Sequence, residues 1–142
     1  MKHLFATLFL CSVATVAYAE KAEKFGNVEV HYNAIATDEL LPEVARTYKI
    51  ERSKTRGLLT VSVLKKNKLG VPEPVPAKLA VYATNLTQQL AEVTMREIKE
   101  GTAVYYLGEF RVAAPDTLKF NVTVESAGEP KRVVSFSQQF YK

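Results

Sequence analysis

Cysteine is nearly absent from this sequence, tryptophan is wholly absent, and histidine and methionine occur twice each. The single cysteine, Cys11, sits inside the apolar run of residues 4–16, which follows Met1-Lys2-His3 and leads into Ala17-Tyr18-Ala19. A short basic start, an apolar run well under the roughly 20 residues a bilayer span needs, and a small-x-small ending predict a secretory leader cleaved after Ala19. Cys11 then leaves with the leader. It follows Leu8-Phe9-Leu10, not the small residues that lipoprotein attachment requires. Removing 19 of the 142 residues leaves a 123-residue domain, 20–142, without cysteine. Disulfides, thiol catalysis and cysteine-bound zinc or iron–sulfur clusters are thereby excluded.

Other scarcities narrow the function further. The six glycines stand singly, so no glycine-rich phosphate loop exists. Loss of Lys2 leaves 18 Lys and Arg against 15 Asp and Glu, a mild excess of +3 with the signs interspersed. Nucleic-acid binding, which calls for a concentrated basic stripe, is not expected, and neither is a membrane span after leader cleavage. A phenylalanine near the C-terminus, in Phe140-Tyr141-Lys142, resembles the aromatic close of outer-membrane barrels. The final lysine and the roughly ten residues that each of at least eight barrel strands needs argue against that reading.

What is present is alternation. In Leu118-Lys119-Phe120-Asn121-Val122-Thr123-Val124-Glu125, apolar and polar residues take turns, which predicts a strand with one face in a core. The same grammar marks strands at residues 27–33, 58–64, 79–84, 103–112 and 132–141, with the charged Lys65-Lys66-Asn67-Lys68 turn among the connections. Val71-Pro72-Glu73-Pro74-Val75-Pro76 cannot donate a full ladder and is expected as an extended edge or connection. Leu41-Pro42-Glu43-Val44-Ala45-Arg46-Thr47-Tyr48 predicts a short helix capping one end of the sheets, with Leu41, Val44, Ala45 and Tyr48 on one side. Residues 86–100 fit a helix or a strand, and their neighbours favour a strand leading into a long hairpin beside residues 118–125. The sum is an all-β fold, a single immunoglobulin-like sandwich of about seven or eight antiparallel strands with one short helix.

Candidate binding residues fall in two groups. Glu29, His31 and Asn33 project from one face of the first strand, a spacing able to gather a metal or to set a base beside its orienter. His31 is the only histidine left after the leader and Met95 the only methionine, so transition-metal ligation lacks further donors, and the competing reading is a solvated strand face. Arg52, Lys54 and Arg56 form the densest basic stretch, suited to hold a carboxylate or phosphate, or else to solubilise a turn. If the helix returns the chain to the first strand, the two groups make one patch, flanked by Tyr32 and Tyr48. No serine lies in a nucleophile elbow and no carboxylates are paired, so catalytic residues and cofactors are not expected.

Four stretches, Glu29-Val30-His31-Tyr32-Asn33-Ala34, Leu41-Pro42-Glu43-Val44-Ala45, Tyr48-Lys49-Ile50-Glu51-Arg52-Ser53-Lys54-Thr55-Arg56 and Gln138-Gln139-Phe140-Tyr141, resemble an uncharacterised family of small exported proteins of Gram-negative bacteria classed as a domain of unknown function. The resemblance implies a periplasmic β-sandwich and carries no assigned site. Together with the residue patterns it leads to the expectation of a non-enzymatic binding or interaction module with a periplasmic or envelope protein partner. The alternative is a small-ligand or metal carrier, or an enzyme, using His31 and the basic segment.

Overall fold

A computed structural model describes residues 21–141; the expected leader, its cleavage point and Cys11 lie outside them. Among the described residues ten strands form two antiparallel sheets. In chain order they are β1 (Lys21–Phe25), β2 (Val28–Ala36), β3 (Arg56–Lys66), β4 (Pro72–Pro74), β5 (Ala77–Thr84), β6 (Leu90–Val93), β7 (Met95–Glu100), β8 (Ala103–Arg111), β9 (Asp116–Ser126) and β10 (Arg132–Phe140). A 3-10 turn at Thr37–Glu39 and helix α1 at Pro42–Thr47 fill the connection from β2 to β3. The larger sheet runs β1-β2-β3-β8-β7 with β4 also beside β3, and the smaller runs β10-β9-β5-β6. This is the all-β sandwich that the alternation implies. No helix among the described residues is long and apolar enough to cross a membrane.

The interior follows from the side chains that alternation sends inward. On β9, Leu118, Phe120, Val122 and Val124 are all buried, and Val122 lies between Val134 of β10 and Val81 of β5. From the facing sheet come Val30, Leu59, Val61 and Val63, each without exposed surface. A row of rings crosses the sandwich. Tyr32 stacks on Phe136 at 4.3 Å, Phe136 on Phe120 at 5.0 Å, and Phe110 stands edge-on to both Phe120 at 5.0 Å and Phe140 at 5.7 Å. Offset and edge-to-face pairs are the favoured aromatic geometries, and each contributes about 0.5–1.5 kcal/mol beyond its buried area. Gly57 makes room for this row, because a Cβ there would lie 2.1 Å from the Phe110 ring.

Several details differ from the sequence reading. The strands number ten because the short β1 and β4 join the larger sheet and because residues 86–100 divide at Thr94. β6 belongs to the smaller sheet and β7 to the larger, so the chain changes layers there, and Gly108 of β8 leaves space for Val93 and Met95 at the crossing. The β7–β8 hairpin therefore pairs with β3, not with β9. The proline stretch is an edge, as its missing donors require; β4 pairs Pro74 with Leu64 and Pro72 with Lys66.

Helix α1 does not cap an end of the sandwich. It lies on the outer face of the larger sheet, where Ala45 and Ile50 pack with Leu58 of β3 and Leu107 of β8. Leu41 and Val44, expected on the buried side, are 66% and 37% exposed. The helix end explains the turn of the chain. Ile50 N donates to Ala45 O at 2.8 Å and Lys49 N to Arg46 O at 3.2 Å, with Lys49 in the left-handed region at φ 56. That is a Schellman closure, and its usual apolar contact is the one between Ile50 and Ala45.

Candidate functional site

Among the described residues β1 pairs with β2 from Val28 to Tyr32, and there the Arg132 guanidinium of β10 lies 5.5 Å from the Phe25 ring centre and bridges the layers. Beyond Tyr32, residues 33–36 keep β3 on one side and have no described strand on the other. The end of β10, an edge strand of the opposite sheet, faces them. Between the two edges opens a cleft of about 750 Å³, within the range of ligand sites, lined by both polar and apolar groups. Ala34, Ala36, Ala113 and Ala114 give it short walls, Phe140 an apolar floor, and Asn33, Asp38, Glu39, Lys54 and Gln138 a polar rim. A second cleft of about 760 Å³ shares Thr55, Val112 and Ala113 with it and continues across the end of the sandwich past Arg56, Arg111 and Glu92.

The rim is held in place by the segment between α1 and β3. Thr37, fully buried, donates its hydroxyl to Ser53 O at 3.1 Å and accepts from Ser53 N at 2.9 Å. Arg52 donates to Leu40 O and Asp38 O, both at 2.8 Å, so its guanidinium fastens the 3-10 turn to this segment. These bonds satisfy backbone groups that a bare loop would leave to water, and the segment they hold carries Lys54 and Thr55 to the cleft that Asp38 and Glu39 also line.

The six candidate residues do not form one patch. In the β2–β3 ladder His31 lies opposite Ser62 and Ala36 opposite Gly57, which sets Arg56 roughly 20 Å along β3 from His31 at about 3.4 Å per residue. Helix α1 lies over the larger sheet instead of leading the chain back toward Glu29. Glu29 and His31 stay beside β1, where Glu29 Oε1 is 3.6 Å from His31 Nε2 and 3.8 Å from Lys24 Nζ. Asn33 and Lys54 both line the cleft, while Arg52 is spent on backbone carbonyls. Arg56 stands between Glu51 and Glu109, each at 3.7 Å, beside the second cleft. Tyr32 and Tyr48 fall on opposite faces of the larger sheet. Among the described residues no group of three or more His, Cys, Asp or Glu is placed to hold a metal.

A polar cluster escaped the sequence reading. Tyr48 Oη lies 2.6 Å from both Glu100 Oε1 and Tyr105 Oη, and the two tyrosine rings meet edge-on at 6.2 Å. Arg96 donates to the Tyr48 carbonyl. Burial, then the bonds to Tyr48 and Glu100, push the Tyr105 hydroxyl far above the usual tyrosine range, and the two hydroxyls hold the Glu100 carboxyl below its own. No spacing rule joins residues 48, 100 and 105, so only the fold reveals the cluster.

The cleft residues share a signal in the sequence. Asn33 and Ala34, Lys54 and Thr55, and residues 138–141 come from three of the stretches that resemble the exported family, and all of them line this cleft. Comparison with known proteins agrees with that resemblance. The family described as Domain of unknown function (DUF4426) matches residues 22–142. A crystal structure of a DUF4426 family protein from Pseudomonas aeruginosa PAO1 is 33% identical, covers 86% of this chain and 94% of its own, and superposes with a TM-score of 0.72. FetP of uropathogenic Escherichia coli strain F11, recombinantly expressed in the periplasm of E. coli, has the same fold at 14% identity, covering 86% of this chain and 93% of its own with a TM-score of 0.61. A copper-bound variant of FetP is 16% identical over 86% and 95%, with a TM-score of 0.57. No curated protein matches this chain.

Proposed function

This chain belongs to the family Domain of unknown function (DUF4426), and on that premise we propose that it is a non-enzymatic periplasmic module that binds a periplasmic or envelope protein. The observation that carries the reading is the convergence of three separate family-resembling stretches on the single cleft between β2 and β10. A binding role needs a shaped, partly apolar surface with a few polar groups, and the cleft has both. Hydrolysis needs a nucleophile beside a base, and among the described residues the cleft's titratable side chains are Asp38, Glu39, Lys54 and Tyr141, with no histidine. The leader-like start of the sequence and the periplasmic expression of FetP support the location.

The copper-bound FetP variant keeps a carrier as the second reading. Among the described residues Glu29 Oε1 stands 3.6 Å from His31 Nε2, and Met95 packs against the interior next to Gly108. Thiolate, thioether and imidazole are the donors copper prefers, and this pair of residues does not assemble them. In-cell crosslinking followed by affinity recovery from periplasm tests the proposal. A specific partner captured by the wild type and lost on Lys54→Glu supports it. Stoichiometric copper binding that His31→Ala abolishes, or substrate turnover by the purified protein, overturns it in favour of the carrier or the enzyme.

A further inference from the structure

The outer edge of β7 has a definite backbone orientation. Val112 N donates to Thr55 O at 2.9 Å, so residues 55 and 112 form a directly bonded pair that continues the β3–β8 ladder. Bonded and non-bonded pairs alternate along an antiparallel ladder. Even-numbered residues of β8 therefore direct their N–H and C=O groups to β3, and odd-numbered ones direct theirs to β7. In the β7–β8 register Ile98 is opposite Tyr105, so Arg96, Ile98 and Glu100 bond to β8 while Glu97 and Lys99 direct their groups away from it. Among the described residues β7 is the last strand of the larger sheet, and β1, where the chain enters at Lys21, lies four strand positions away, roughly 19 Å at about 4.8 Å per strand.

The side chains along this edge carry a charge pattern that is its own complement. From 96 to 100 they read Arg, Glu, Ile, Lys, Glu, with all four charged residues exposed. We propose that β7 pairs antiparallel with β7 of a second copy of this chain, about a two-fold axis at Ile98, so that the two larger sheets join edge to edge. The inference goes beyond the binding-module reading and does not rest on it. In this register Glu97 opposes Lys99 of the second copy, and these are the two residues whose backbone groups point outward, so each such pair closes two N–H to C=O bonds. Lys99 Nζ is already 3.3 Å from Glu97 Oε1 within one copy, and the facing strand completes an array of alternating sign on that face. On the other face Arg96 opposes Glu100, and Tyr48 holds both, its carbonyl accepting from Arg96 and its hydroxyl bonding Glu100. The Ile98 pair is non-bonded, the closer of the two spacings, and it links the outer apolar clusters of the two copies, to which Ile98 and Tyr105 belong. The interface is isologous, so it closes at two copies and leaves no edge for further growth.

Sedimentation equilibrium of the mature protein should show a monomer–dimer equilibrium that weakens as salt is added. Lys99→Glu sets like charges opposite each other at both symmetric positions and should weaken the dimer about tenfold. Adding Glu97→Lys to it exchanges the two signs, restores the complement and should recover the dimer. Amide hydrogen exchange of the wild type reads the register directly. Glu97 and Lys99 amides should slow as protein concentration rises through the dimer range, whereas the Ile98 amide, bonded to β8, should be slow throughout. A protein that stays monomeric up to about 1 mM, a dimer that Lys99→Glu leaves as tight as before, or a dimer in which the Glu97 and Lys99 amides exchange as fast as in the monomer overturns the proposal.

Discussion

The two sheets differ in how many faces they bury. On the larger sheet Leu58 and Leu59, consecutive on β3, are both buried, and so are Tyr106 and Leu107 on β8. Its inner face meets the smaller sheet, and its outer face meets α1. The smaller sheet buries its inner face alone. Outward it shows Ala80, Tyr82, Lys119, Val133 and Ser135, all exposed. The difference teaches that strict alternation marks a two-layer strand, whereas a paired run such as Leu58-Leu59 marks where a third element must cover the sheet.

Three measurements test that contrast, in order of expected effect. Phe120 belongs to the layer that both sheets share, touching Phe110 and Phe136 on either side. Phe120→Ala should lower stability by about 3–5 kcal/mol in chemical denaturation, since the interior cannot close over the lost ring. Leu107 belongs to the outer layer, a small cluster with α1. Leu107→Ala should cost about 2 kcal/mol, at the low end for such truncations. Native-state hydrogen exchange should show its effect confined to α1 and its neighbours, leaving β9 amides protected; equal loss across both sheets would erase the distinction between the layers.

The smallest effect concerns the polar edge of that outer layer. Tyr105→Phe should cost about 1 kcal/mol, one hydrogen bond. Because the folded state raises the Tyr105 pKa, the stability linked to it is complete below the ordinary tyrosine value near 10 and is lost as pH rises toward the raised value. Glu100 works in the opposite sense. Its pKa is depressed, so its contribution is present above the ordinary value of 4.5 and fades as pH falls through the lowered one. Burial raises Tyr32 and Tyr106 as well, so ultraviolet titration should find a late tyrosine phase to which Tyr105 contributes, and Tyr105→Phe should lower its amplitude. A wild-type protein whose tyrosines all ionise together would contradict the cluster.

Much of the fold was legible from alternation. Residues 118–125 read as a core strand and are one, and residues 58–64 read as central and lie between β2 and β8. The division at Thr94 was not legible, because a strand that leaves one sheet for the other has the same local pattern as one that stays. The α1 position was misread for a related reason. Its apolar residues showed that something is buried without showing against what, and the Schellman turn at Lys49 then directed Ile50 onto the sheet's outer face. At the site, Asn33 and Lys54 were named in advance as binding candidates, and Ala34 and Gln138 appeared only within family-resembling stretches, while Glu39, Ala113 and Ala114 drew no attention because nothing in their types signals a chemistry.

Taken alone, the chain's residues determined most of the strands, which of their side chains enter the core, and that residues 21–141 hold no cysteine. Those properties are local: a period of two and a residue inventory need no partner to be read. Only the tertiary structure decided that β10 stands across from the end of β2 and that Asn33 and Lys54 line the same cleft. These depend on ladder register and on the path of loops between sheets, where residues more than a hundred positions apart become neighbours and no local pattern records the meeting.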